Sequence, residues 1–315
     1  MEEGYVVIDQ IPTRVITIGG WIDQPIKKRH LIIVIPGNPG LIGYYEDFVK
    51  SLYDELPDEY VIWGISHASH DIPKNTVLPT VKDQPELYTL DGQVKHKIKF
   101  IDTYVLTDVN VHFIGHSTGA KICIQLVKQY CKIHKAVAYL LFPTLARIAK
   151  TPNGWKLWPI AGPLRKLFVI AANLLNRLKE SWKITIIQWT MRNKLSSENS
   201  TTSASGTPAI VPVNVRTSMS LLNPQALERS LFLARDQLKM VDELNAKDIR
   251  LHSDRLVLYF GTNDRWCPLE YCHNLLRQVP KARAIICPHE FEHAFVLQSS
   301  QQMATIVSEW IKEFS

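Results

Sequence analysis

The chain contains a serine, an aspartate and a histidine whose order and surroundings are suited to nucleophilic catalysis. Ser117 lies in GHSTG (115–119), directly after the apolar run VHFI (111–114) and before a helix-compatible stretch. Small flanking residues permit a sharp strand-to-helix turn that exposes the serine above the helix N-terminus. A serine hydroxyl is a weak nucleophile at neutral pH, so it needs a histidine base that a carboxylate orients.

The predicted carboxylate is Asp264. It lies in the turn GTND (261–264), which follows the apolar run RLVLYF (255–260). If this run is a strand parallel to VHFI, Asp264 falls at the same edge of the sheet as Ser117. The alternative is that Asp264 closes the turn or caps the helix that follows, as Asp often does.

The predicted base is His293, in the loop PHEFEHAF (288–295) after the apolar run ARAIIC (282–287). His289 is the rival base. The order serine, aspartate, histidine is the one used by doubly wound hydrolases, which favours a catalytic role. HEFEH (289–293) has the spacing of the HExxH zinc motif but does not lie on a convincing helix, and no third ligand has a candidate, so we expect neither a metal nor an organic cofactor.

An oxyanion hole needs backbone N–H groups aimed at the developing negative charge. One candidate is the N–H of Thr118, the residue after the nucleophile. The other comes from the loop PGNPG (36–40), which follows the apolar run LIIVI (31–35). Proline has no N–H, so Asn38 is the predicted donor of this loop. The alternative is a plain proline-glycine turn.

Apolar runs that could position these residues recur along the chain. They are continuous rather than alternating, which is typical of strands covered on both faces. The runs are 31–35, 60–65, 111–114, 136–142, 255–260 and 282–287, with helix-like stretches at 44–56, 119–132, 268–278 and 299–314. This alternation predicts an α/β fold with a doubly wound, mostly parallel sheet. The runs 5–8 and 15–18 indicate an antiparallel hairpin at the start.

Residues 143–250 interrupt this alternation. We expect a single domain over 1–315 in which 143–250 form an inserted helical cap above the sheet. Its low-complexity stretch SSENSTTSASGTPA (196–209) is predicted to be a mobile loop.

Within the insertion, residues 155–191 combine basic and aromatic character. They hold four of the eight tryptophans, and 153–195 carry eight Lys or Arg against one acidic residue. Residues 153–195 therefore carry a net charge of +7, the rest of the +6 chain is close to neutral, and no nucleic-acid module is recognisable around them. Its apolar runs are too short to span a bilayer but suited to lie in the membrane surface. The alternative is an ordinary lid over an apolar pocket, and the two roles are compatible.

The cysteines and the first residues indicate the compartment. The five cysteines form no CxxC motif, which argues against a disulfide framework. The acidic start, MEEGYVVIDQ, lacks the pattern of a secretory signal. We therefore expect the chain in the reducing environment of the cytosol.

Several motifs resemble the lipid droplet-associated hydrolase family, a branch of the α/β-hydrolase fold. The resemblance covers about residue 30 to the end and is weakest over 155–250. The motifs are PGNPG (36–40), ISHASH (65–70), GHSTG (115–119), TPNG (151–154), GTNDRWCP (261–268) and HAF (293–295). GHSTG is common among lipases and esterases, whereas PGNPG, ISHASH and GTNDRWCP are more specific.

The resemblance implies a serine hydrolase at lipid droplets and the cytosolic face of the endoplasmic reticulum. Its implied substrate is a lipid ester of the sterol ester or acylglycerol type, and its implied triad is Ser117, Asp264 and His293. It also implies that His67 and His70 lie near the pocket, where we list them with His116 as candidate substrate contacts. A structural hydrogen-bonding role for His67 and His70 remains open.

Two other functions remain open. One is a soluble esterase or thioesterase that acts on small substrates through the same triad. The other is a largely non-catalytic scaffold that keeps the fold while binding lipid droplets. Neither the natural lipid ester nor the protein partners follow from the sequence.

Overall fold

An eight-stranded sheet lies at the centre of the computed structural model, which describes residues 1–24, 26, 28–73, 76–105, 108–192, 211–240 and 243–314. Its strands are β1 (Glu2–Ile8), β2 (Ile11–Ile18), β3 (His30–Ile35), β4 (Tyr60–Ile65), β5 (Asn110–His116), β6 (Val137–Leu141), β7 (Leu256–Phe260) and β8 (Arg283–Ile286). Their spatial order is β1-β2-β4-β3-β5-β6-β7-β8. Only the pairs β1–β2 and β2–β4 are antiparallel, which confirms the predicted mostly parallel sheet.

The inner strands β3, β4, β6 and β7 are buried on both faces, as their continuous apolar sequences require. Every residue of β3, β4, β6 and β7 is buried. In β3, Leu31, Ile33 and Ile35 join the core on one face, whereas Ile32 and Val34 join the core on the other. This alternation follows from the two-residue period of a strand.

Helices cover both faces of this sheet. The helices outside the insertion are α1 (Glu46–Asp54), α2 (Leu90–Tyr104), α3 (Thr118–Tyr130), α10 (Leu269–Gln278) and α11 (Ser300–Glu313). α1 and α11 contribute to the core on one face, and α2, α3 and α10 to the core on the other. The chain therefore has the doubly wound arrangement that its pattern predicts.

The described part of the segment between β6 and β7 contains six α-helices joined by turns and loops. Its helices are α4 (Pro152–Ala161), α5 (Arg165–Asn176), α6 (Glu180–Arg192), α7 (Val213–Ser220), α8 (Pro224–Met240) and α9 (Ala246–Leu251). α4 and α5 pack against α8, and α6 packs against α7. That these helices act as a cap stays a prediction. The predicted mobile loop, 196–209, lies outside the described residues.

Candidate active site

Ser117 occupies the turn between β5 and α3 with a backbone conformation that non-glycine residues rarely adopt. Its φ is 52° and its ψ is −114°. The turn is tight enough to require the flanking glycines. A Cβ at Gly115 would lie 2.6 Å from the Gly119 carbonyl oxygen, and one at Gly119 would lie 2.3 Å from the Ile35 carbonyl oxygen. The strained turn thus holds the serine at the carboxyl edge of the sheet.

The structure brings the three residues of the predicted triad together. His293 Nε2 lies 2.9 Å from Ser117 Oγ, and His293 Nδ1 lies 2.6 Å from Asp264 Oδ2. With Nδ1–H donating to the carboxylate, Nε2 has a lone pair that can accept the hydroxyl proton of Ser117. This is the arrangement in which a histidine activates a serine as a nucleophile.

Asp264 is held as a carboxylate by its surroundings. Burial by itself raises the pKa of this carboxyl group. The hydrogen bond and charge of His293, together with the backbone N–H groups of Trp266 and Cys267, outweigh that effect, so the pKa lies below its ordinary value. Those two N–H groups donate to Asp264 Oδ1 at 2.7 and 3.1 Å. Asp264 therefore closes the turn after β7 and orients His293 at the same time.

The two predicted oxyanion donors line the cavity that contains Ser117. Thr118 begins α3, and Asn38 lies in the loop after β3. Among the described residues, no protein group accepts a hydrogen bond from either backbone N–H. The loop contacts the nucleophile closely, because a Cβ at Gly37 would lie 2.9 Å from Ser117 Cβ. Both N–H groups remain available to a developing oxyanion.

His116 joins three segments of the site through a chain of buried hydrogen bonds. Gly37 N–H donates to Tyr45 Oη at 2.9 Å, and Tyr45 Oη–H donates to His116 Nδ1 at 2.6 Å. His116 Nε2–H donates to the His293 carbonyl oxygen at 2.8 Å. Burial and the neighbouring His293 lower the pKa of His116 to about 3, which keeps its ring neutral. Because protein groups occupy both nitrogens, neither ring nitrogen of His116 is free to bind a substrate.

His67 and His70 lie behind the loop 36–40 and do not line the cavity beside Ser117. Both side chains are fully buried. The backbone N–H of His67 donates to the Gly40 carbonyl oxygen at 2.8 Å, and His70 Nδ1–H donates to the Pro39 carbonyl oxygen at 2.6 Å. These contacts support the loop that carries Asn38, rather than a substrate.

The cavity beside Ser117 has a volume of about 370 Å³ and mostly apolar walls. Its apolar lining comes chiefly from the helices between β6 and β7, with Leu157, Leu221, Leu227, Leu231, Ala234 and Leu238. This size lies within the range of small-molecule pockets, so a hydrocarbon portion of a substrate fits beside the nucleophile. Among the described residues, no group of three or more His, Cys, Asp or Glu side chains is arranged to hold a metal ion.

Helices α4 to α6 expose an unusual amount of large apolar side chain. We call these side chains the α4–α6 surface: Trp155, Trp158, Leu164, Leu167, Phe168, Ile170, Leu174, Leu178, Trp182 and Trp189. Trp155 is 78% exposed, and the other three tryptophans of this surface are 56–65% exposed. α4 also contributes Leu157 to the cavity, so one helix contributes to both. Across the described part of the chain, no helix has the length and apolar content needed to cross a bilayer.

Comparisons of the sequence with known proteins agree on one family. The model of a family described as "Lipid-droplet associated hydrolase" matches residues 28–296. The chain is 36% identical to the lipid droplet-associated hydrolase of Drosophila melanogaster, covering 99% of both chains. It is 31% identical to the human lipid droplet-associated hydrolase, covering 99% of this chain and 95% of the human one.

Solved structures with low sequence identity share the fold. One is a bacterial membrane phospholipase A, with a TM-score of 0.63, 12% identity and coverage of 99% of this chain and 86% of that one. Another is an esterase from Exiguobacterium antarcticum, with a TM-score of 0.59, 13% identity and 98% coverage of both chains. At these identities the likeness shows the fold alone.

Proposed function

The chain belongs to the lipid droplet-associated hydrolase family and has the α/β-hydrolase fold, and from this premise we propose that it is a serine esterase acting on lipids. The observation that carries the proposal is His293, whose ring lies within hydrogen-bond distance of both Ser117 and Asp264. The apolar cavity beside Ser117 supports a substrate with a hydrocarbon portion. The proposed substrates are carboxylic esters of the sterol ester or acylglycerol type.

In the proposed mechanism, Ser117 Oγ attacks the ester carbonyl carbon while His293 Nε2 takes the hydroxyl proton. The carbonyl oxygen becomes an oxyanion that accepts hydrogen bonds from the N–H groups of Asn38 and Thr118. When the tetrahedral intermediate collapses, His293 returns the proton to the departing alcohol. A water molecule, deprotonated by His293, then attacks the acyl-serine and releases the acid. Asp264 keeps the histidine in the required tautomer throughout.

We further propose that the α4–α6 surface contacts a lipid droplet monolayer or the endoplasmic reticulum membrane. Exposed tryptophans near basic side chains are typical of proteins that lie in a membrane interface. Lys156 on α4 and Lys166 on α5 are exposed, as are Arg177 and Lys179 between α5 and α6. Because α4 also lines the cavity, contact with lipid would bring the ester supply next to the entrance of the site.

Hydrolysis by the purified protein tests the proposed chemistry. We expect release of fatty acid from emulsified lipid esters by the wild-type protein and at least a ~10³-fold lower rate for Ser117→Ala. Asp264→Asn is expected to lower the rate by about 10⁴-fold, because the amide favours the wrong histidine tautomer. Equal rates for wild type and Ser117→Ala would contradict the mechanism. The non-catalytic scaffold that binds lipid droplets would then be the remaining function.

Flotation with lipid droplets or liposomes tests the membrane contact. A tryptophan side chain has an area of about 200 Å². If a third of this area enters the lipid, at ~25 cal/mol per Å², each tryptophan contributes about 1–2 kcal/mol to the free energy of membrane binding. We therefore expect binding to lipid droplets or liposomes to fall by at least tenfold when four tryptophans are replaced by serine: Trp155, Trp158, Trp182 and Trp189. The matched control places Ser at Ile133 and Leu251, which are both 63% exposed outside this surface. Wild-type protein that stays with the aqueous phase would instead indicate a soluble esterase.

A further inference from the structure

The cavity beside Ser117 contains a buried amide that the proposed mechanism does not use. Gln237 lies on α8, lines the cavity, and is only 6% exposed. Its Oε1 accepts a hydrogen bond from Thr118 Oγ1 at 2.9 Å. Its Nε2 has no hydrogen-bond partner within the described part of the chain. Since Thr118 follows the nucleophile, this unpaired donor lies close to where the ester would react.

Two further polar groups in the same cavity are also unpaired. Asn38 Oδ1 and Thr144 Oγ1 are buried without a partner among the described residues. The amide of Asn38 is fixed, because its Nδ2 donates to the Ser230 carbonyl oxygen at 2.9 Å. The residues that line the cavity therefore include at least one with an unpaired buried donor and one with an unpaired buried acceptor.

These groups make the pocket costly for a purely hydrocarbon occupant. Leaving one buried polar atom unpaired weakens binding by roughly five- to 150-fold. A site built to bind a substrate hydroxyl discriminates strongly against an analogue that lacks this hydroxyl. An apolar pocket discriminates far less between two substrates that differ by one methylene group. A hydroxyl group can accept a hydrogen bond from an amide N–H and donate one to an amide oxygen.

We propose that Gln237 is a specificity-determining residue that donates a hydrogen bond to a free hydroxyl group of the substrate. The acyl chain of a lipid is hydrocarbon and suits the aliphatic walls, so the hydroxyl belongs to the alcohol portion, close to the ester. The substrate class is then a partial ester of a polyol, such as a partial acylglycerol, rather than the ester of a sterol. This inference rests on the proposed esterase function.

Two small esters that differ in one group test this inference. In 2-hydroxyethyl octanoate the alcohol ends in a hydroxyl, whereas in propyl octanoate it ends in a methyl group. An apolar pocket without the donor would favour the propyl ester by about fourfold or more. With rates normalised to hydroxide-catalysed hydrolysis, we expect the wild-type kcat/KM to be at least tenfold higher for the hydroxyethyl ester.

Variants of Gln237 assign this preference to the amide. Gln237→Met and Gln237→Leu are expected to bring the ratio of the two kcat/KM values to one or below. The control Leu238→Met introduces the same thioether into the adjacent wall position and is expected to keep the wild-type ratio. Because both esters are compared within each variant, any general loss of activity cancels.

The outcomes separate the inference from the function on which it rests. A wild-type ratio below three, or an unchanged ratio in both Gln237 variants, overturns the inference while leaving an active esterase. If the wild-type protein cleaves neither these esters nor emulsified lipid esters, the proposed esterase function fails and the inference with it. Labelling of the Gln237 variants with a fluorophosphonate probe shows that their site is folded.

Discussion

Replacing Tyr45 with Phe removes one hydroxyl group on which three segments of the site converge. That hydroxyl accepts a hydrogen bond from Gly37 N–H at 2.9 Å and donates one to His116 Nδ1 at 2.6 Å. His116 in turn holds the backbone of His293 at 2.8 Å. The substitution keeps the ring and its packing, so its effect reports on these hydrogen bonds.

The structure sets the size of the expected effect. Tyr45 and His116 are buried, so the substitution leaves Gly37 N–H and His116 Nδ1 unpaired inside the protein. Each unpaired buried group costs about 1–3 kcal/mol, and for the two groups we expect the free energy of unfolding to fall by about 2–6 kcal/mol. A displacement of the base by about 1 Å can lower the rate of reaction ~100-fold, so we expect serine labelling to slow by about ten- to 100-fold.

Urea denaturation measures the loss of stability, and the rate constant of fluorophosphonate labelling measures the loss of positioning. Tyr44→Phe is the matched control, because among the described residues Tyr44 Oη bonds only Ser218 Oγ on α7, at 2.8 Å. This control is expected to lose about 1 kcal/mol of stability and to keep the wild-type labelling rate. If Tyr45→Phe matches Tyr44→Phe in both measurements, the hydrogen-bond chain does not position His293.

Burial lowers the pKa of the Lys97 ammonium group to about 7. Between about pH 7 and 10 the unfolded chain therefore binds more protons than the folded chain. The free energy of unfolding rises with pH in this range, by up to ~1.4 kcal/mol per pH unit. Lys97→Met is expected to flatten this rise in urea denaturation at pH 7, 8 and 9. Gly37→Ala places a Cβ 2.9 Å from Ser117 Cβ. Because such overpacking costs about 1–3 kcal/mol, we expect fluorophosphonate labelling of Ser117 to be roughly tenfold slower. Arg216→Met removes the half-exposed ion pair with Glu46 at 2.8 Å and is expected to cost ~1 kcal/mol or less by thermal unfolding.

The parallel strands are predictable from sequence because their signal is local. β4 coincides with the apolar run 60–65, and the ends of β3 and β5 to β8 differ from the predicted runs by one or two residues. Burial on both faces demands continuous apolar sequence, and the hydrogen-bonded ladder then sets the ends. The hairpin strands β1 and β2 extend further than predicted, because their pairing continues through polar residues.

Helix α2 is not predictable from apolar periodicity, because much of its buried face is polar. Gln93, His96 and Lys97 are buried there and bond to other segments. Gln93 Oε1 accepts from the Ala68 N–H at 2.8 Å, and Lys97 Nζ donates to the Ser66 carbonyl oxygen at 2.8 Å. These partners lie in the loop after β4, so the sequence of the helix alone gives little sign of its burial.

The triad is predictable because chain order and strand ends indicate which residues meet. The residues that support it are not, since their contacts join distant parts of the chain. Tyr45 reaches His116 across 71 residues, and Gln237 reaches Thr118 across 119 residues. Neither residue belongs to a motif. Only the folded chain shows that they contact the neighbours of Ser117.

Fluorophosphonate labelling of the purified protein, with lipid or detergent present, tests the central claim most directly. Such probes react with serines that a neighbouring base activates. We expect wild-type protein to be labelled on Ser117, and we expect Ser117→Ala and His293→Ala not to be labelled. Absence of labelling in the wild type, or labelling that persists in either variant, would contradict the assignment of Ser117 and His293 as nucleophile and base.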